Sequence, residues 1–328
     1  MTESVKQLVK ELFDYAGLFP PAELGMGPAC SEFTRQTNGE FASAVARFVV
    51  PASRAEEFSA AAAALMPGTY ATSGYLEHLG SGDPWRVSML VRPGQIEEGL
   101  AAVRAFNERH ATEAQGLAKC DTVEILVPRP GTPEHAAAGA HGGEFVDAVQ
   151  EDLPDDVFAF FEVDHASDPR GVLTAISGTG TAAKIRTGGT EPGKTPTAEQ
   201  VASFLHACAA AEVPFKCTAG LHHALPGERP ITYADDAPRD FQHGFLNVFL
   251  AACLIHDGSL SPEHTALLLE TADPAAMTFS DEGIAWDGPE RYTVGIAEIM
   301  AARSRFAMSI GSCSVAEPAA ELRELGLA

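Results

Sequence analysis

Short runs of apolar, β-branched and aromatic residues alternate along this chain with longer stretches in which apolar residues recur at helical spacing. Strand-length runs stand at 47–51 (RFVVP), 86–91 (RVSMLV), 123–127 (VEILV), 157–164 (VFAFFEVD), 182–187 (AAKIRT) and 213–218 (VPFKCT). A weak run follows at 277–279, ahead of DEGIAW, and a last one at 305–310 (RFAMSI). Such apolar runs suit strands buried on both faces of a parallel sheet. Helices are predicted at 55–65, 96–109, 143–150, 170–177, 197–211, 245–256 with 262–271, 292–302 and 315–325. Thr197, followed three residues later by Gln200, reads as a capping box that starts the helix at 197.

Eight strand-then-helix units ending on a helix predict a closed (β/α)8 TIM barrel. An open doubly wound sheet is the alternative, and the lack of a Gly-rich fingerprint after the first run weighs against it. Ahead of these units lie an amphipathic helix in the first fifteen residues and a Gly- and Pro-punctuated loop, DYAGLFPPAELGMG. Residues 1–45 are therefore expected to be an N-terminal helical extension, and 46–328 the barrel, within one domain spanning 1–328.

Composition narrows the function classes. A hydrophobic fraction of 45% with dispersed Gly and Pro fits a folded globular chain. The net charge of -23, from 45 acidic and 22 basic residues, repels phosphate backbones and anionic headgroups, so neither nucleic acid nor membrane is an expected partner. The apolar runs are too short to span a bilayer and the N-terminal helix carries acids, which points to the cytoplasm. The six cysteines form no C-x-x-C pair and read mostly as reduced core residues. A small anionic substrate is the expected partner, with homo-oligomer formation left open.

In a barrel the chemistry sits at the C-terminal strand ends. There, Lys184 and Arg186 stand two apart and so on one face of their strand, ahead of Thr187-Gly188-Gly189, whose backbone suits a carboxylate or phosphate. The next run places Lys216 with Thr218 and delivers His222 and His223 into a loop of about two dozen residues that reaches His243, long enough for a lid. Glu162 and Asp164 close the fourth run on one face, and Glu124 lies within the third, its role open between pairing and catalysis. Asp14 and Tyr15 beside GLFPP are candidates to cap the site, and SIGSCS, Ser309 to Ser314 with Ser312 at its centre, resembles a phosphate-cradling turn. The competing reading of Lys184, Arg186 and Lys216 is an ion-pair layer with Glu162 and Asp164 that closes the barrel top.

The segment FKCTAG resembles the K-T-S-T-G segment of deoxyribose-phosphate aldolase through Lys216, Thr218 and Gly220. That resemblance implies a Schiff-base lysine at Lys216. The aldolase's second lysine, ahead of a Gly-Gly turn, lies on the strand after the Schiff-base strand, whereas K-I-R-T-G-G here lies on the strand before it, so that lysine is not carried over. More widely, AGLFPPA, RFVVPASR, KIRTGG, FKCTAGLHH and HGFLN resemble an uncharacterised bacterial (β/α)8-barrel family, which implies the fold and no reaction.

The leading expectation is a carbon–carbon lyase of aldolase type without a cofactor. Lys216 would be the amine nucleophile, made less basic by nearby Lys184 and Arg186, with Glu162 or Asp164 moving a proton and His222 polarising the substrate. Arg186, Thr187, Gly188, Gly189, Thr218, His223, His243 and Ser312 would bind substrate. The alternative is a divalent-metal hydrolase or isomerase using His222, His223 or His243 with Glu162 or Asp164. A third is an anion-binding barrel without turnover.

Overall fold

The computed structural model describes residues 1–68 and 82–328. Seven parallel barrel strands come first: β1 (Phe13–Tyr15), β2 (Val45–Pro51), β3 (Trp85–Val91), β4 (Ala118–Leu126), β5 (Phe158–Val163), β6 (Ala182–Arg186) and β7 (Phe215–Thr218). Two small antiparallel sheets follow outside the barrel, β8 (Gly227–Pro230) with β9 (Arg239–Gln242), and β10 (Met277–Phe279), β11 (Gly283–Asp287) and β12 (Arg291–Gly295). The chain then returns as β13 (Ala307–Ser312), which pairs in parallel with β7 and β1 and closes an eight-stranded barrel. The fold is the predicted α/β (β/α)8 TIM barrel, and no described helix is long and apolar enough to cross a membrane.

Two strand assignments change. The segment expected to be only an N-terminal extension supplies β1, in which Phe13, Asp14 and Tyr15 lie opposite Ile310, Gly311 and Ser312. Three residues are too few for a strand period to show, so this element exists only through its neighbours on either side. The weak run at 277–279 is not a barrel strand. It pairs antiparallel with β11, β11 pairs with β12, and Trp286 stacks on Tyr292 at 5.4 Å. Residues 292–295, expected to be helical, are strand, and the helix starts at Ile296.

The added sheet belongs to a second layer that covers the helix Phe245–His256. That helix is apolar nearly all round, and every residue from Phe245 to Ile255 is buried, as a helix enclosed between barrel and outer layer should be. The capping box at 197 forms as expected: the Gln200 amide donates to Thr197 Oγ1 at 3.3 Å and the Thr197 amide donates to Gln200 Oε1 at 2.8 Å.

Strand alternation turns Glu162, Lys184 and Lys216 inward in one row, because Glu162 lies opposite Lys184, and Lys184 opposite Lys216. In place of the branched aliphatic layers common in such barrels, this interior carries an ionic row.

Candidate active site at the barrel mouth

A cavity of about 510 Å³ opens at the C-terminal strand ends, with Glu124, Glu162 and Lys184 in its lining. Lys184 Nζ donates to Glu124 Oε2 and to Glu162 Oε2, each at 2.7 Å. Behind Glu124, Lys216 Nζ donates to Glu124 Oε1 at 2.6 Å and to Asp14 Oδ2 at 2.5 Å, and lies 5.3 Å from the centre of the Phe160 ring. Ser88 and Ser309 hydroxyls donate to the same Glu124 and Asp14 oxygens at 2.7 Å. At the open end of the row, Arg186 Nε stands 3.5 Å from Glu162 Oε1 with its side chain 52% exposed.

Three cations (Lys184, Lys216, Arg186) thus alternate with three carboxylates (Asp14, Glu124, Glu162). Buried charges persist only when matched in this way. The contacts are those of the ion-pair layer, with Glu124 and Asp14 in the place expected for Asp164. The surplus of positive charge expected inside the mouth is absent from the row itself. It survives only at Arg186, whose single contact to Glu162 is long.

The row also sets proton affinities. Burial by itself would raise the Glu124 carboxyl and lower the Lys184 ammonium, but their mutual attraction, with Lys216 and Glu162 on either side, more than reverses both effects. Glu124 is held well below the usual carboxylate range and Lys184 well above the usual lysine range. For Glu162, whose side chain is 13% exposed, burial is again outweighed, by Lys184 and then by Arg186, and the carboxyl is lowered.

Several candidates are not where the strand pattern put them. Lys216 is fully buried and does not line the cavity. Asp164 lies one residue beyond β5, pairs with Arg129 and sits in a separate surface cleft with His165. Thr187 Oγ1 donates to the Ala219 carbonyl at 2.6 Å, clasping two loops together, and does not line the cavity. His243 is buried against the Pro196 carbonyl at 2.8 Å. Ser312 donates to the Ser314 carbonyl at 2.6 Å and Ser309 to Asp14, so the SIGSCS turn spends its hydroxyls on the protein and presents Gly311 and Cys313 to the cavity.

Arg186, Gly188, Gly189, Thr218, His222 and His223 do line it. The two glycines need little room, and Gly188 needs all it has: a Cβ there would lie 3.0 Å from the Gly220 Cα. The chain passes so close because Ala219, Gly220 and Leu221 take successive left-handed conformations, with φ of 54°, 72° and 53°.

His222 and His223 diverge. His223 Nδ1 pairs with Glu321 Oε1 at 2.5 Å, whereas His222 Nδ1 lies 3.3 Å from Ser312 Oγ and 3.9 Å from both Cys313 Sγ and Glu317 Oε2. Burial lowers the His222 pKa more than Glu317 raises it, so its imidazole is neutral near pH 7. The expected metal set of His222, His223 and Glu162 is therefore tied to three different partners, and among the described residues no group of three His, Cys, Asp or Glu side chains is arranged to hold a metal ion.

The long loop after β7 folds into the β8–β9 hairpin and roofs the cavity with residues 230–234. At its tip the Tyr233 hydroxyl donates to Glu317 Oε1 at 2.6 Å and lies 3.6 Å from Cys313 Sγ. Tyr233 and Glu317 gave no local signal, since their roles depend on a hairpin meeting the helix Ala316–Glu324, and Cys313 lies within the SIGSCS turn singled out for its serines. The chain matches no family model and no curated protein, so the chemistry of this mouth rests on the residues that line it.

Proposed function

We propose that the barrel mouth is the active site of a carbon–carbon lyase of aldol type, acting on a carboxylate with a neighbouring carbonyl. The carrying observation is the Lys184 ammonium, fixed at the cavity by two carboxylates at 2.7 Å. An ammonium has three donors, and two are occupied, which leaves the third for a substrate oxygen.

In the cleavage direction, Arg186 and the amides of Gly188 and Gly189 take the carboxylate, and Lys184 donates to the carbonyl oxygen. Neutral His222 accepts the proton of the β-hydroxyl. The carbon–carbon bond breaks, an aldehyde leaves, and the electron pair moves onto the carbonyl oxygen as an enolate that Lys184 stabilises. The imidazolium then returns its proton to the enolate carbon. One preorganised donor of this kind contributes on the order of 10²–10³ in rate.

The likeness of FKCTAG to an aldolase segment supports the reaction class. It does not carry a nucleophile here, because Lys216 Nζ is enclosed by Asp14 and Glu124 behind the cavity. In our reading Lys216 is a positioning residue that holds Glu124, and through it Lys184.

Hydrogen–deuterium exchange at the carbon next to the carbonyl of a panel of 2-oxo acids, followed by proton NMR in D₂O, tests this reading. The expected result is exchange by the native protein that falls at least about 100-fold in Lys184→Met, with no adduct after borohydride. Absence of exchange with every acid would remove the proposal. A borohydride-trapped adduct on Lys184 or Lys216 would replace the ammonium role with a Schiff base.

A further inference from the structure

Barrel order divides the mouth into two unlike halves. β4, β5 and β6 are consecutive neighbours and bring Glu124, Glu162, Lys184 and Arg186 to one side. β1, β2 and β3 are consecutive on the other side and bring Phe19 and Pro21 from the loop after β1, Val49 from β2 and Leu90 from β3. Among the described residues, the lining contributed by this second side, from Ala16 to Leu90, carries no ionisable group.

A three- or four-carbon oxo acid would satisfy the charged half and leave the apolar half against water. A cavity of about 510 Å³ belongs to the size class that encloses considerably larger ligands. We infer that the substrate is amphipathic, its carboxylate and carbonyl on the β4–β6 side and an apolar chain or ring against Val49, Leu90 and Phe19. This inference rests on the lyase reading for the polar head and on the segregation of the lining for the rest.

Two features strengthen it. Val49 and Leu90 are inward residues near the mouth ends of their strands, Val49 opposite Ser88 and Leu90 opposite Glu124, so the lining changes from apolar to ionic between β3 and β4. Ile231 in the hairpin roof lines the same cavity and adds a further apolar contact from above.

Calorimetric titration with straight-chain 2-oxo acids of four to eight carbons tests the inference. The expected result is binding that tightens about fourfold for each added methylene that reaches the wall. Val49→Phe, which fills the wall, should shift the best acid to a shorter chain. Leu90→Phe at a half-buried position is the second variant if the first fails to fold. Affinity that is flat with chain length, yet lost in Arg186→Met, overturns the amphipathic substrate and leaves the lyase reading standing. Tightening that persists unchanged in both wall variants also overturns it, since the chain then lies elsewhere. Failure of every acid to bind overturns both.

Discussion

Lys216 Nζ and Asp14 Oδ2 meet at 2.5 Å although 202 residues separate them, joining β7 to β1 across the strand that closes the barrel. Ser309 of that closing strand donates to the same Asp14 oxygen at 2.7 Å. All three side chains are buried; Glu124 is the second partner of Lys216, and Arg47 lies 3.7 Å from the other Asp14 oxygen.

Replacing Lys216 with methionine keeps the volume and leaves Asp14 and Glu124 facing each other with one cation fewer. Removing one partner from a buried ion pair costs about 3–5 kcal/mol. Urea denaturation of Lys216→Met should show a loss of that size. A loss below about 1 kcal/mol would mean that water or a rearrangement replaces the ammonium, and the row is less closed than described.

The ionic row predicts acid sensitivity with a definite sign. Glu124 and Glu162 have folded pKa values below their ordinary one, which is about 4.3 in an unfolded chain. Their stabilising contribution is therefore complete above that value and is lost as pH falls through it toward the folded values. Denaturation midpoints should stay level from pH 7 to about 5 on this account and drop below about 4.3. In Glu162→Gln the drop should be shallower, and an unchanged slope would assign the acid sensitivity to other carboxylates.

Tyr233 holds the roof through one hydroxyl, bonded to Glu317 while the residue as a whole is 57% exposed. Burial raises the nearby Cys313 thiol above its ordinary pKa, so alkylation near neutral pH should be slow. Tyr233→Phe releases the roof without opening the core, and alkylation mapped to Cys313 by mass spectrometry should speed up several-fold. An equal rate in native protein and variant would show that other contacts hold the hairpin down.

Much of this protein was readable from local pattern. Repeated strand–helix alternation implied the barrel, seven of the eight predicted runs overlap barrel strands, and the Thr197–Gln200 box marks a helix start that forms as expected. The two-residue spacing of Lys184 and Arg186 placed both on the inward face of β6 because side chains alternate along a strand. Arg186, Gly188, Gly189, Thr218, His222 and His223 all reach the cavity from the two segments singled out as its walls.

What the pattern could not supply were relations between distant elements. Asp164 and Glu162 share a spacing with Lys184 and Arg186, yet Asp164 lies past the strand end and turns to Arg129. β1 has no periodicity of its own, and the 277–279 run has strand character without a place in the barrel. Periodicity reports which face of an element avoids water, and it is set within a few residues. Which cation meets which carboxylate, which three residues form the strand between β2 and β13 and which half of its mouth is apolar depend on register and closure, and those exist only once all eight strands are paired.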